Sequence, residues 1–425
     1  MSVTLKSVEG NIITLEVKID ISGSMLSAED AILSGLNSAG CVATGEALKR
    51  FDTDGSPISL GGVKWFSKGR LPKTYQTPYG EVEVERHVYQ RSVGGETFCP
   101  LERDARIVVT STPRFAKMAT HKMANGASTA AQTDLAENHG RRVSRSYLQD
   151  LTEAVGSVVQ AKEELWEYET PTLDKPIKSV GIGMDGTCML LCDGGYREAM
   201  TGTISLYDKA GERQHTIYLG ATPEYGKATF QERMTREIAH IKQLYPNATY
   251  VGIADGAKTN WDFLKPHVSI QVLDFYHATQ YLADVASAVI PDCEADRIQW
   301  LDDRCHDLKH KHGAAARLLK EMEDLREKPP TKAAREQLDS AITYFRNHQH
   351  QMRYARYRAK ALPIGSGVTE AACKTLIKQR LCCSGMKWVE RGARVILSLR
   401  ALVLTPQRWD QFWNKINRYG LPIPA

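Results

Sequence analysis

The sequence lacks the features that mark several other classes of protein. Its nine cysteines have no regular spacing and form no Cys-x-x-Cys pair, so a structural zinc site has little support and reduced thiols in a cytosol are expected. No run of about 18 apolar residues occurs, so we expect neither a membrane-spanning helix nor a membrane partner. The first ten residues also lack the apolar core of a signal peptide.

Charge is abundant but nearly balanced over the whole chain. Charged residues make up 25% of the 425 residues and the net charge is +5. This composition is compatible with binding to nucleic acid but does not by itself indicate it. The distribution is more informative. Between Arg353 and Arg400 there are eleven Lys or Arg residues and only two acids, Glu370 and Glu390. Such a surface suits a phosphate backbone.

Three short apolar stretches each run into an aspartate. These stretches are residues 180–184, 249–254 and 268–273, and the acids that follow are Asp185, Asp255 and Asp274. The stretches predict strands, and acids at the ends of neighbouring strands project from one rim of a sheet. Their mutual repulsion is costly unless a cation neutralises it. One Asp-Gly after a strand is usually only a turn, but three such acids call for another explanation.

A fourth acid, Glu370, lies on a predicted helix that follows a Gly-Ser-Gly turn. The four acids occur in these motifs: Met184-Asp185-Gly-Thr, Ala254-Asp255-Gly-Ala-Lys, Leu273-Asp274-Phe-Tyr-His277-Ala and Ile364-Gly-Ser-Gly-Val-Thr-Glu370-Ala-Ala-Cys-Lys. Their order resembles that of the DDE transposases of the ribonuclease H-like superfamily. The residues of these motifs resemble those of the Kra-type bacterial insertion-sequence transposases, which are related to the Mutator-like transposases. The resemblance covers roughly residues 179–406 and leaves the first hundred residues unassigned.

The resemblance implies a role for each acid. Asp185, Asp255 and Glu370 would be the catalytic residues and the metal ligands, with Asp185 bridging two Mg²⁺ ions that Mn²⁺ could replace. Asp274 and His277 would be accessory active-site residues. Spacing alone does not rank Asp274 below Asp255, and His277 could instead make only a local hydrogen bond at a helix start.

The predicted fold class is α/β. A ribonuclease H-like mixed-sheet catalytic domain is interrupted by an all-helical insertion and preceded by a helix-turn-helix region and a mixed α/β N-terminal region. The predicted limits are 1–110 for the N-terminal region, 111–170 for the helix-turn-helix region, 175–290 and 362–425 for the two parts of the core, and 291–361 for the insertion. A β-hairpin is expected within residues 73–90.

The helix-turn-helix prediction rests on residues 128–151. A helix that Ser128 caps and Gly140 stops is followed by a second helix with Ser144 as its cap. Three arginines would lie near the start of this recognition helix and contact DNA: Arg141, Arg142 and Arg145. An ordinary helical hairpin is the alternative.

Two more basic groups are predicted to contact DNA. Tyrosines alternate with basic residues at the end of the insertion, a pattern that could stack on bases and pair with phosphates: Arg353, Arg356 and Arg358. A solvated amphipathic helix is the alternative there. Lys374 and Lys378 would lie one and two turns past Glu370 on its face of the helix.

The predicted function is therefore that of a bacterial, cytoplasmic and nucleoid-associated transposase. It would bind double-stranded DNA at the terminal inverted repeats of its element, act as a dimer or larger assembly, and catalyse Mg²⁺-dependent cleavage and strand transfer into target DNA. A non-catalytic DNA-binding regulator and a structure-specific nuclease on the same fold are the alternatives. A two-metal phosphatase fits less well because of the basic stretch.

Overall fold

The computed structural model describes residues 2–162, 165–224, 227–329 and 331–421. Within it the chain divides into two compact units. The first consists of Met1–Glu169, Ser398–Val403 and Gln407–Ala425, and the second of Thr170–Leu397 and Leu404–Pro406. None of the helices in the described ranges has the length and apolar character that crossing a membrane requires.

The first unit has two strands, a long helix, four more strands and then further helices. Its strands are β1 (Ser2–Glu9), β2 (Ile12–Lys18), β3 (Ile58–Leu60), β4 (Val63–Gln76), β5 (Glu81–Arg91) and β6 (Thr97–Phe98). Its helices before residue 170 are α1 (Met25–Lys49), α2 (Pro100–Asp104), α3 (Pro113–Asn125), α4 (Ser128–His139) and α5 (Arg145–Lys162). Strands β1 and β2 pair as a hairpin, and β3 to β6 form a separate antiparallel sheet in sequence order.

The predicted β-hairpin is present and is longer than expected. Strands β4 and β5 pair from Gln76↔Glu81 to Trp65↔Arg91. The turn is held by Thr77, whose hydroxyl accepts hydrogen bonds from the backbone N–H groups of Tyr79 and Gly80 at 3.1 Å. Short-range turn chemistry therefore positions this hairpin, as the sequence pattern indicated.

Helices α3, α4 and α5 contact one another. Pro113 occupies the first turn of α3, Gly140 ends α4 with a left-handed φ of 62°, and the Ser144 hydroxyl caps α5 by accepting from the Tyr147 N–H. The predicted cap at Ser128 is wrong by one residue, because Ala127 precedes the helix and makes no side-chain cap.

The predicted DNA contact at Arg141 is also wrong. Arg141 is only 5% exposed, and its guanidinium donates to the Thr77 carbonyl and the Gln76 side chain while it lies 5.4 Å from the centre of the Phe115 ring. A buried guanidinium with these partners cannot reach a phosphate or a base edge. Arg142 and Arg145 are exposed, as their predicted role requires.

The second unit is built on one five-stranded mixed sheet. Its strands are β7 (Ile177–Leu191), β8 (Gly195–Asp208), β9 (Arg213–Ala221), β10 (Thr249–Ala254) and β11 (Ile270–Leu273). The order across the sheet is β11-β10-β7-β8-β9, with β7, β8 and β9 antiparallel and with β10 and β11 parallel to β7. The predicted α/β class is confirmed in this coarse sense.

The helices of the rest of the chain follow. They are α6 (Ala228–Leu244), α7 (Lys258–Leu264), α8 (Phe275–Val289), α9 (Glu294–His310), α10 (Ala314–Asp324), α11 (Lys332–His348), α12 (Tyr354–Ala359), α13 (Gly367–Ala372), α14 (Gln379–Leu381), α15 (Glu390–Leu404) and α16 (Arg408–Tyr419). A short 3-10 helix, Gln349–Gln351, lies between α11 and α12, and a π-helix, Cys373–Lys378, follows α13.

The described part of the predicted insertion is helical, and it shares a core with the sheet. Leu308, Met322 and Phe345 belong to the same buried apolar cluster as Ile182 and Leu273 on the strands. The helices of residues 291–361 therefore form one compact unit with the sheet. This continuity lets a side chain from α11 reach the edge of the sheet where the acids lie.

Two local expectations around the acids are wrong. Strand β7 does not end at Asp185, because Asp185 and Gly186 continue to pair with Thr201 and Met200 on β8. The helix after Glu370 changes to a π-helix at Cys373, and a π-helix has a wider turn than an α-helix. Lys374 and Lys378 are exposed, but they are not spaced as one and two α-helical turns from Glu370.

Candidate active site

Asp185 and Asp255 lie at the same level on neighbouring parallel strands. Gly183 on β7 pairs with Ile253 on β10. When this register is continued by two residues, Asp185 lies opposite Asp255. Asp255 comes directly after the last residue of β10. Parallel pairing therefore places at one level two acids that are 70 residues apart in the sequence.

Asp274 continues this row on the next strand. Ala254 pairs with Leu273, so the following position aligns Asp255 with Asp274. The Asp274 N–H donates to the Ala254 carbonyl at 2.9 Å, which extends the ladder by one residue. The three aspartates thus occupy one register row across β7, β10 and β11, as the sequence pattern predicted for the rim.

Asp185 is the half-buried member of the row. One of its carboxylate oxygens accepts from the Gly186 N–H at 2.7 Å, and the other lies 3.5 Å from the Cys373 sulfur. Burial raises the pKa of Asp185 above its ordinary value, and the negative charges of Asp255 and Glu370 raise it further. The two other predicted catalytic acids are therefore close enough to Asp185 to repel its charge.

Asp255 is held through both its backbone and its side chain. Its carboxylate accepts from the Ala257 N–H at 3.1 Å and lies 3.4 Å from the Asn260 amide. Its carbonyl accepts from the Tyr344 hydroxyl at 2.7 Å, and the Tyr344 ring stacks on Tyr281 at 3.9 Å. Helix α11 therefore fixes the backbone at Asp255.

Glu370 is carried toward the sheet by α13. The Thr369 hydroxyl hydrogen-bonds the Thr203 hydroxyl on β8 at 2.7 Å, and a Cβ at position 183 would lie only 2.2 Å from the Thr369 Oγ1. Gly183 is therefore required for this close approach. The Glu370 carboxylate is exposed and accepts from the Ser366 hydroxyl.

Asp274 has a different environment from the other acids. It is fully buried, and its carboxylate accepts three backbone hydrogen bonds, from Tyr276 at 3.3 Å, His277 at 3.2 Å and Ser366 at 2.9 Å. Two of these cap the N-terminus of α8 and the third holds the loop before α13. Asp274 is therefore engaged by the fold, whereas Asp255 accepts fewer hydrogen bonds and is partly exposed.

His277 makes the local contact that the sequence left open. Its Nδ1 lies 2.9 Å from the Gln280 Oε1, one helical turn away. The side chain is half-buried, and its role in a reaction stays a prediction.

The basic residues at the end of the predicted insertion separate into two groups. Arg353 and Arg356 are exposed and line a groove that Gly256, the residue directly after Asp255, also lines. Arg358 is exposed on the same helix but bonds the His310 ring at 2.7 Å. Only the first two are therefore placed along a surface that adjoins the acids.

Several residues of the site have roles that the sequence pattern did not predict. Ser366, Thr369, Cys373 and Tyr344 act through contacts with residues far away in the chain. Glu198 is a further acid beside the site, because a Cβ at Gly186 would overlap its carboxylate, and it is ion-paired with Lys227 at 2.6 Å. Ser366, Thr369 and Cys373 lie within the Glu370 motif, which is the one signal that could have pointed to them.

No group of three or more His, Cys, Asp or Glu side chains in the described ranges is gathered closely enough to hold a metal ion. Asp185, Asp255 and Glu370 interact electrostatically without converging on one centre. Comparison of the sequence with protein-family models and with curated proteins gives no match.

Proposed function

We propose that this protein is a metal-dependent DNA-cleaving and strand-joining enzyme, a DDE-type transposase with a ribonuclease H-like core. One observation carries the proposal: Asp185 lies level with Asp255 on the adjacent parallel strand and interacts electrostatically with Glu370. The mixed sheet, with its acids in one row and a helix bearing the Glu beside it, supports the same assignment. The resemblance of the four motifs to Kra-type transposases narrows the class.

The donor set suits hard divalent cations. Mg²⁺ favours carboxylate oxygens, keeps several of its waters and is commonly held by one or two carboxylates. In the proposed arrangement Asp185 is shared, with Asp255 completing one pair and Glu370 the other. Pairs of this kind do not require three side chains around one centre. When bound, a pair of such ions activates a water or 3′-hydroxyl and stabilises charge on the attacking and leaving oxygens.

The protein's own residues prepare this site. Burial and the like charges of Asp255 and Glu370 raise the pKa of Asp185, which means that they destabilise its charged form. A cation bound beside it would stabilise that form. The Tyr344 and Asp274 hydrogen bonds fix the backbone on either side of the row. Rigid placement of this kind is what in-line attack on a phosphodiester needs. No covalent protein–DNA intermediate is required, and none of the tyrosines or serines is assigned as a nucleophile.

A DNA-binding regulator that lacks catalysis is the alternative against which the proposal must be tested. A regulator has no use for three acids brought together, and the pKa of Asp185 is raised first by burial and further by the charges of Asp255 and Glu370. A structure-specific nuclease would share the site and the chemistry, but it would not join a 3′ end to a new target.

The test is a cleavage and joining assay with purified protein and Mg²⁺. The substrate is labelled DNA taken from the two sides of the protein's own coding region, and the variants are Asp185→Asn and Glu370→Gln. The exposed Asp292→Asn variant is the matched control. Nicking and joining by the wild type and by Asp292→Asn, lost in both site variants while DNA binding persists, supports the transposase. Binding without cleavage in either Mg²⁺ or Mn²⁺ favours the regulator, and cleavage without joining favours the nuclease.

A further inference from the structure

A groove of about 760 Å³ opens beside the row of aspartates. Its lining comes from Gly256, from residues 258–271 on and between α7 and β11, and from residues 347–360. Seven basic or imidazole side chains line it: Lys258, Lys265, His348, His350, Arg353, Arg356 and Lys360. Asp262 is the one acid among the groove's lining residues in the described ranges.

Most of the positive charge of this groove has no ion-pair partner in the described part of the chain. Asp262 is paired with Lys258 at 2.6 Å, so the acid neutralises a single lysine. Lys265, Arg353, Arg356 and Lys360 form no ion pair with any other residue that the structure describes. Four cations that share a concave surface without counter-charges attract a polyanion, and confinement in a groove strengthens their field.

Apolar and aromatic side chains also line the groove. Val268, Ile270, Trp261 and Tyr357 contribute to its lining. The Trp261 indole N–H is buried and has no hydrogen-bond acceptor within the described ranges. Cationic side chains beside apolar and aromatic ones are what proteins use to hold single-stranded nucleic acid. A volume on the scale of a small-ligand site accommodates a few nucleotides of one strand.

Gly256, the groove residue next to Asp255, has no room for a side chain. Gly256 has a φ of +108°, and a Cβ there would lie 3.1 Å from the Tyr344 ring and 3.2 Å from the His348 ring. A side chain at this position would be strained and would crowd both rings, so the backbone beside Asp255 requires glycine.

We propose that this groove binds a short segment of single-stranded DNA whose backbone continues past Gly256 to Asp255. The inference rests on the proposed function, since it assigns the groove to one strand of the DNA that the acids cleave. The sequence pattern predicted that Arg353 and Arg356 contact DNA by pairing with phosphates, and the groove places them with Lys265 and Lys360 as contacts to an unpaired strand.

The test measures binding without catalysis, so that it can succeed or fail independently of the cleavage assay. Full-length Asp185→Asn protein is titrated with fluorescent single-stranded and double-stranded oligonucleotides of equal length, without divalent metal and at several salt concentrations. The groove variant carries Arg353→Ala, Arg356→Ala and Lys360→Ala. The control carries Lys320→Ala, Lys332→Ala and Arg335→Ala, three exposed cations on α10 and α11 that do not line the groove. Both variants lose the same charge.

The expected result is a loss of single-strand affinity on the order of tenfold or more in the groove variant alone. The slope of log affinity against log salt should fall by about 2, since each phosphate contact on a single strand contributes about 0.7. Duplex binding should change little in either variant. An equal loss for single strand and duplex overturns the inference, as does an equal loss in the control variant. Tighter binding of single-stranded RNA than of DNA, or full competition by polyglutamate, overturns it as well.

A second variant guards against misfolding of the triple mutant. Gly256→Ala adds one methyl group beside Asp255, against the Tyr344 and His348 rings, and leaves every charge in place. It is expected to reduce cleavage while single-strand binding in the groove persists. If the triple mutant loses its folding transition, its loss of binding carries no weight and Gly256→Ala decides. Intact binding and intact cleavage in Gly256→Ala then contradict a strand that continues past Gly256 to Asp255.

Discussion

The carboxylate of Asp274 accepts a hydrogen bond of 2.9 Å from the backbone N–H of Ser366, which lies 92 residues farther along the chain. The Ser366 hydroxyl in turn donates to the Glu370 carboxylate. A fully buried acid at the start of α8 therefore determines where the loop before α13 runs. Asp274 acts on the proposed site by positioning Glu370 through Ser366.

Replacing Asp274 with Ala is expected to lower both stability and activity. The variant loses the cap of α8 and leaves three backbone N–H groups without their charged acceptor, so the free energy of unfolding should fall by about 3 kcal/mol. Denaturant unfolding measures this loss. Asp274→Asn keeps one carbonyl oxygen and should recover part of the stability.

A metal-binding measurement separates positioning from direct ligation by Asp274. If Asp274 only positions Ser366, Asp274→Asn and Ser366→Ala should weaken Mg²⁺ binding to a similar and moderate extent. Abolition of binding in Asp274→Asn, with near-normal binding in Ser366→Ala, would make Asp274 a ligand itself.

Removing the charge of Asp185 is expected to stabilise the metal-free protein at neutral pH. Because burial and the charges of Asp255 and Glu370 raise its folded pKa, the folded state holds the proton more tightly than the unfolded state. The free energy of unfolding therefore falls as pH rises from the ordinary value of 3.8 to the raised value, and stays lower above it. Asp185→Asn removes this penalty.

Thermal unfolding of Asp185→Asn across pH checks this linkage. Its Tm should exceed that of the wild type at pH 7 without metal, and the difference should shrink toward zero below pH 3.8. Asp292→Asn, at an exposed position, should follow the wild type throughout. A lower Tm for Asp185→Asn at pH 7 would mean that its hydrogen bond from Gly186 outweighs the repulsion.

How much of this site a sequence can foretell depends on the range of the interactions. The row of Asp185, Asp255 and Asp274 was predictable, because apolar strand patterns are local and parallel register follows from them. The clamp from Asp274 to Ser366 was not, since it joins residues 92 positions apart. Arg141 likewise looks like a surface cation beside a helix start, and only its contact with the Thr77 carbonyl shows otherwise.

Added Mg²⁺ is expected to stabilise the wild-type protein against heat. Ions that bind the folded state alone raise the free energy of unfolding, by about 2.7 kcal/mol at a hundredfold excess over the dissociation constant. The Tm shift should disappear in Asp185→Asn and shrink in Glu370→Gln, while Asp292→Asn keeps it. An equal shift in Asp185→Asn would place the ion elsewhere and contradict the proposed ligand set.

Gly183→Ala tests whether close approach of α13 matters. The added methyl would overlap the Thr369 hydroxyl, so we expect a loss of about 1–3 kcal/mol in the free energy of unfolding from overpacking. Thr369→Ala removes the obstructing hydroxyl and should restore most of that loss in the double mutant. A double-mutant cycle measures the coupling. Additive effects of the two changes would show that Gly183 is not needed for the position of the helix.

The three arginines at the start of α5 should behave differently from one another. Arg141→Ala removes a buried guanidinium that bonds the Thr77 carbonyl and lies against Phe115, so it should cost about 2 kcal/mol of stability. Arg142→Ala and Arg145→Ala alter exposed side chains and should leave the unfolding transition almost unchanged. If α5 contacts DNA, these two variants should weaken duplex binding. Each should also reduce the slope of log affinity against log salt concentration by about 1. Unchanged duplex affinity in both would leave α4 and α5 as an ordinary helical hairpin.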